Sequence, residues 1–247
     1  MVSIELQNIC KSFLLDKKEK DYSIFDRILK LAGLKKKARF IALKDINLKF
    51  YENEIVGILG ENGAGKTTLV NIMYGITIPT SGRVVSEKKI TALYGYGGCF
   101  NGELTGRQNI YLSGTAYGIR KKDLDRNIDK IIAFSEIKEI DIQLKYYSNG
   151  MKARLGFSIF SFIDSDILIF DESLVGGDFF FQNKCALILQ EMIKRPHKTF
   201  FIISHDEGSL INLCNRIIVL KNGDVVFDGN PLKALEYYKS TKIVSTL

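Results

Sequence analysis

The stretch GENGAGKTT, Gly60 to Thr68, constrains this chain more than any other. It satisfies the phosphate-binding pattern of Gly, four residues, Gly, Lys and Thr, and its context is the one that pattern requires. An apolar strand, Glu54 to Leu59, precedes it, and a helix from about Lys66 to Tyr74 follows, stopped by Gly75 and Pro79. Gly60, Gly63 and Gly65, interleaved with Glu61, Asn62 and Ala64, let the backbone wrap closely enough for successive N–H groups to face phosphate oxygens. The helix start adds its positive end, onto which Thr68 also opens. Lys66 is then the group that reaches the β- and γ-phosphates, and the Thr67 hydroxyl is a magnesium ligand.

Composition sets the frame for that loop. The 247 residues are 46% hydrophobic and 26% charged, which suits a globular chain with one large core or two smaller ones and argues against disorder. No stretch approaches the roughly 18 uncharged apolar residues of a membrane span, and Met1 to Lys11 lacks the apolar core of a signal peptide, so a cytoplasmic chain is expected. Cys10, Cys99, Cys185 and Cys214 are far apart, without the paired spacing of a zinc site, and read as reduced thiols.

The formal net charge of +7 points to an acidic partner: nucleotide, anionic lipid or nucleic acid. Much of the excess lies between Lys11 and Arg39, either as a solvated basic face or as a surface turned to a membrane. Few aromatic residues interleave with these charges, which disfavours a base-stacking platform.

Along the chain, Ser3 to Ile9 and Ile41 to Tyr51 alternate as antiparallel strands do, with Ile46, Leu48 and Phe50 on one face. The basic insertion, about residues 14–40, lies between them, and within it Tyr22 to Leu34 has the spacing of a short amphipathic helix ended by Gly33. The middle third, about 104–163, is dominated by helical patterns such as Asp123 to Phe134 and Met151 to Ile163, predicting a helical subdomain. Ile167 to Phe170 and Thr199 to Ser204 are short apolar strands around a helix from about Gln182 to Lys194, the layout of parallel α/β architecture. Arg216 to Leu220 and Asp224 to Asp228 form a hairpin through Asn222 and Gly223, and Pro231 opens a last helix to about Tyr238.

Three further patterns bear on chemistry. ILIFDE, Ile167 to Glu172, brings two carboxylates to the C-terminal end of a strand, where open α/β sheets bind ligands. An acidic pair there also suits a helix cap; beside the phosphate loop, Asp171 reads as the residue that holds magnesium through water and Glu172 as the base that orients and deprotonates the attacking water. His205 follows Thr199 to Ser204 at a second strand end and can donate to the γ-phosphate. In YYSNGMKARLGFS, Tyr146 to Ser158, the residues Ser148, Asn149 and Gly150 precede a helix and form either an ordinary N-cap or a second anion site. Two phosphate sites for one nucleotide imply that a second copy closes over each ATP.

This order of motifs over about residues 1–240, followed by a short tail at 241–247, resembles the ATP-binding cassette proteins. The resemblance implies a P-loop NTPase α/β core with an antiparallel β subdomain and a helical subdomain, and an ATPase that uses ATP and Mg2+. It assigns Ser148 to Met151 to the signature loop, whose usual LSGGQ reads here as YSNGM, and Gly176, Gly177 and Asp178 to the D-loop that contacts the opposite subunit's site. Phe13, after Lys11 and Ser12, matches the adenine-stacking aromatic, with Phe40 as the alternative. One departure stands out: the Q-loop stretch Leu93 to Phe100 reads LYGYGGCF and has no glutamine for magnesium.

That glycine-rich replacement, ELTGRQNIYL at Glu103 to Leu112, the signature stretch, GGDFFFQNKC at Gly176 to Cys185 and the long insertion before Ile41 are all similar to the ATPases of bacterial polysaccharide exporters. The resemblance implies a homodimer of nucleotide-binding subunits on the cytoplasmic face of the inner membrane, paired with two integral membrane permease subunits, exporting lipid-linked capsule, O-antigen or teichoic acid chains. Some members carry an added carbohydrate-binding domain; the end at Leu247 leaves no room for one, so direct recognition of the glycan end by this subunit is not expected. Nucleic acid is not an expected partner. Other cargoes, drug or lipid, and a soluble role on nucleic acid or ribosomes are the competing readings.

Overall fold

A computed structural model describes residues 1–15, 38–93, 99–171, 179–204 and 207–244. The amphipathic helix expected at Tyr22 to Leu34, together with Glu172, Gly176, Gly177, Asp178, His205 and most of the Q-loop stretch, lies outside the described residues.

Two sheets organise the chain. Strand β1 (Val2–Leu15) pairs antiparallel with β2 (Ala38–Tyr51) and with the short edge strand β4 (Ser81–Val85). The expected strands thus continue further, and the ribbon stays paired from Phe13–Phe40 out to Leu15–Ala38, narrowing the insertion from about 14–40 to the residues between those ends. Continuous pairing of β1 past Ile9 depends on irregular register: Asn8 (φ 51) and Asp45 (φ 45) take left-handed backbone, tolerated by short polar side chains, and Asn8 Nδ2 donates to Asp45 Oδ1 at 3.0 Å.

The second sheet has the order β5 (Ile90–Leu93), β6 (Ile167–Asp171), β7 (Thr199–Ile203), β3 (Ile55–Leu59), β8 (Arg216–Lys221) and β9 (Asp224–Gly229). The first five are parallel and β9 returns antiparallel to β8. Residues of β7 are buried throughout, as a parallel strand covered on both faces requires. Phe200 and Ile202 enter one hydrophobic cluster while Phe201 and Ile203 enter the other, so period-two alternation divides the core into two layers. Phe201 meets Phe50 of β2 edge-on at 4.7 Å, which binds the antiparallel sheet to the parallel one.

Helix α1 (Lys66–Met73) packs in the layer of β1 and β2. On the opposite layer α2 (Gly106–Ala116), α3 (Lys121–Ser135) and α4 (Asn149–Phe160) pack together, followed by α5 (Phe179–Ile193), α6 (Glu207–Leu213) and α7 (Pro231–Val244). Thr105 caps α2 reciprocally, accepting from the Gln108 N–H at 3.2 Å while Gln108 Oε1 accepts from its own at 2.9 Å. Asn222 (φ 51) and Gly223 (φ 84) both lie in the left-handed region, as the tight turn of the β8–β9 hairpin demands. No helix among the described residues is long and apolar enough to cross a membrane.

Candidate functional site

The parallel register gathers the chemistry-bearing strand ends on one edge. Ile58 of β3 pairs with Ile203 of β7, and Ile203 pairs with Asp171 of β6, so the residues leading to the phosphate loop, to His205 and to Glu172 stand in one row across the sheet. A parallel sheet does this by construction, because every strand runs toward the same side.

At that edge, Gly60 to Gly65 turns through positive φ at Gly60 (154), Gly63 (82) and Gly65 (108). A Cβ on Gly65 would come within 2.6 Å of the Ala42 carbonyl oxygen, so only glycine admits the close approach of β2. A Cβ on Gly63 would meet nothing within 4 Å, leaving its mirror-image backbone as the sole reason for glycine. The loop is braced from outside: the Gly223 N–H donates to the Ala64 carbonyl at 3.0 Å, and the Lys44 N–H to the Gly223 carbonyl at 2.9 Å. An ion pair of Lys44 with Asp224 at 2.8 Å closes this frame.

Lys66 is 7% exposed, and its ammonium donates to the Gly60 carbonyl at 2.6 Å and to that of Glu61 at 2.9 Å. The loop's own carbonyls therefore hold the charge at the loop, poised for an anion. Helix α1 starts at Lys66 with Gly65 as N-cap, without a side-chain cap bond and without an acidic residue in its first turn. A helix end left uncapped by its own side chains, bordering a buried ammonium and an exposed Gly63, fits a polyphosphate. Thr67 is exposed and Thr68 half-buried in that first turn. Asn62 and Glu61 are exposed at the loop tip. Asp171 ends β6 at the same edge, and a hydroxyl at position 67 and a carboxylate at position 171 are donor types of the kind a hard divalent cation takes.

Ser148 is exposed and caps α4, its Oγ accepting the Met151 N–H at 3.1 Å. Asn149 and Gly150, expected just before the helix, form its first turn instead, because the cap lets the helix begin one residue after the serine. A concavity of about 490 Å3 opens beside them, lined by Glu136, Lys138, Ser148, Gly150 and Arg154 among others. The ordinary cap and the anion site are thus compatible, since Ser148 makes its cap bond while it and Gly150 line the concavity.

Phe13 and Phe40 are cross-strand partners, so the two alternatives for the adenine aromatic lie on the same face of one ribbon. Both are exposed, at 41% and 47%, and the Lys11 ammonium sits 5.0 Å from the Phe13 ring centroid. Of the Q-loop stretch, Leu93 is buried at the end of β5, Cys99 is exposed, and Phe100 packs on the core.

Sequence reading missed the frame of Ala42, Lys44, Gly223 and Asp224 around the loop. The turn Asn222–Gly223 is visible in the sequence, but its contacts with Ala64 and Lys44, about 160 and 180 positions earlier, are not.

Residues 43–175 match the family model described as ABC transporter. Over 207 residues, 83% of this chain and 84% of the relative, the sequence is 38% identical to the O-antigen export system ATP-binding protein RfbB of Klebsiella pneumoniae. It is also 38% identical over 200 residues, 81% of this chain and 65% of the relative, to the ABC transporter protein AbcA of Aeromonas salmonicida. A solved dimeric ATP-binding cassette in a post-hydrolysis state bound to ADP and Pi has the same fold, with a TM-score of 0.72 at 19% identity, covering 92% of this chain and 98% of that one. By its sequence, the chain belongs to the ABC transporter family.

Proposed function

We propose that this chain is the ATP-hydrolysing subunit of a bacterial exporter of lipid-linked polysaccharide, peripheral to the cytoplasmic face of the inner membrane. The observation that carries the reading is the buried Lys66 ammonium held by two loop carbonyls at the uncapped start of α1. Similarity to an O-antigen export ATP-binding protein over 83% of the chain supports the cargo and favours it over drug, lipid or nucleic-acid readings.

In the proposed mechanism, two copies close head to tail. ATP lies on Gly60 to Thr68 of one copy, its adenine against Phe13 with Phe40 opposite, and Ser148, Asn149 and Gly150 of the other copy cover its γ-phosphate. Lys66 balances phosphate charge that grows during transfer, and the α1 N-terminus orients the chain of phosphates. Thr67 and Asp171 would hold Mg2+, which would supply neutralisation of phosphate charge. Glu172 orients the water and takes its proton, His205 donates to the γ-phosphate, and Asp178 reaches the facing site. Opening after hydrolysis is passed to a pair of membrane permease subunits.

Deletion of the gene, followed by analysis of surface and intracellular glycan, tests the cargo. The reading expects surface polymer to vanish while lipid-linked polymer accumulates inside, with restoration by the wild-type chain and none by Glu172→Gln. Unchanged surface polymer would refute it.

A further inference from the structure

Helix α3 ends on an unusual residue. Glu136 holds φ 56 in the left-handed region, where glycine or asparagine is easier and a longer side chain costs about 1–2 kcal/mol. Backbone strain of this kind persists where the side chain is needed. Here the carboxylate divides between two helices: Oε2 accepts from Arg154 of α4 at 3.3 Å, and Oε1 from Lys184 of α5 at 2.8 Å. Lys184 also donates to the Phe134 carbonyl at 3.0 Å, satisfying a terminal acceptor of α3.

Beneath the charges lies an aromatic triangle with one ring from each helix. Phe134 of α3 stacks on Phe157 of α4 at 6.1 Å, and Phe181 of α5 meets them edge-on at 5.9 and 6.5 Å. The Arg154 guanidinium sits 5.0 Å above Phe181, and the Lys184 ammonium 4.3 Å above Phe134. The rings therefore join each pair of helices, while Glu136 pairs with one cation from α4 and one from α5.

The position of this junction gives it meaning. Helix α4 starts at the Ser148 cap, and α5 starts at Phe179, next in sequence to Asp178. We propose that Glu136 is a positioning residue that locks the helix behind the serine–glycine loop to the helix behind Asp178, so that both loops meet the second copy's nucleotide as one body. This inference rests on the head-to-tail reading above. The Glu136 side chain is 48% exposed, with Arg154 at 20% and Lys184 at 35%, so solvent screens the ion pairs and the aromatic triangle holds the fold without them. The carboxylate's contribution is to orientation.

Glu136→Gln, Lys184→Gln and the double variant, each placed in a Glu172→Gln chain that retains ATP, test the idea by sedimentation velocity across an ATP·Mg2+ titration. Each single variant is expected to raise the ATP concentration for half-maximal dimerisation about fivefold, and the double variant by less than the two shifts combined, since both remove the Glu136–Lys184 pair while each also loses a contact of its own. Thermal midpoints are expected to stay within about 2 °C of the parent, and Glu136→Asp to recover part of the loss. An unmoved half-point in a dimerising parent, or a shift that only follows a fall in thermal midpoint, would overturn the inference alone. A Glu172→Gln parent that stays monomeric at saturating ATP would overturn the head-to-tail reading and this inference with it.

Discussion

Lys66 and Gly60 are joined through the phosphate loop itself: the ammonium donates to the carbonyl oxygen 2.6 Å away, six residues back in the chain. The charge that the proposed chemistry needs is thereby fixed in place by the same backbone turn that forms the anion cradle. Lys66 is only 7% exposed, and a broader, planar guanidinium does not reproduce its compact point charge. Lys66→Ala and Lys66→Arg are both expected to lower ATP turnover by about a hundredfold or more in the assembled transporter, the scale of removing one positioned transition-state donor. Steady-state phosphate release, with a fluorescent nucleotide to follow binding, measures both.

The two loop glycines separate strain from collision. Gly63→Ala meets no atom within 4 Å, so its cost is limited to left-handed backbone, about 1 kcal/mol. Gly65→Ala adds a contact of 2.6 Å with the Ala42 carbonyl and 2.9 Å with the Leu43 Cδ2, and the carbonyl cannot swing aside because β2 is paired on either side of it at Ile41 and Leu43. Urea unfolding is expected to show Gly65→Ala destabilised by at least about 2 kcal/mol more than Gly63→Ala.

Arg216 of β8 reaches both its own sheet and β2 of the other. It grips Asp228 with two bonds at 2.6 and 2.7 Å, donates to Glu54 at 3.1 Å and to the Lys49 carbonyl at 2.8 Å, and lies 5.2 Å over the Phe50 ring. Asp228 first, then Glu54, push its pKa above the usual guanidinium value against the pull of burial. Arg216→Met leaves two carboxylates facing each other without a cation and is expected to cost about 2 kcal/mol in denaturant unfolding, with Arg216→Lys recovering only part because the paired geometry is lost.

Glu52 supplies a pH dependence. The Lys88 ammonium, and after it His197, hold its carboxyl below the ordinary value of 4.5. A carboxyl depressed in the folded state takes up protons more readily when unfolded, so its contribution is complete above pH 4.5 and disappears as pH falls through the lower folded value. Glu52→Gln is therefore expected to flatten the loss of stability below pH 4.5, measured by urea midpoints across an acid series, while leaving its slope above pH 6 unchanged.

Legibility of the sequence followed the range of the interactions. The loop at Gly60–Thr68, the hairpin at Asn222–Gly223 and the apolar strands at Ile55, Ile167 and Thr199 are set by local backbone needs and by alternation, and each was readable from neighbours in the chain. The edge strand at Ser81–Val85 and the four-residue strand at Ile90–Leu93 were not, because they are short and owe their form to partners far away in sequence. The same reason hid the Ala42–Gly223 frame and the junction at Glu136, whose partners lie 18 and 48 residues off. Phe13 and Phe40, the two alternatives for the adenine aromatic, are opposite each other in the ribbon, a relationship that only the register reveals.

The central claim, that a phosphate loop from one copy and a serine loop from another enclose a single ATP, is tested most directly by sedimentation of the Glu172→Gln chain with and without ATP·Mg2+. The account predicts monomer without nucleotide and dimer at saturating ATP, and a Glu172→Gln/Ser148→Arg chain that still binds ATP but stays monomeric. A sedimentation coefficient unmoved by ATP, or a dimer that survives the arginine at position 148, would contradict it.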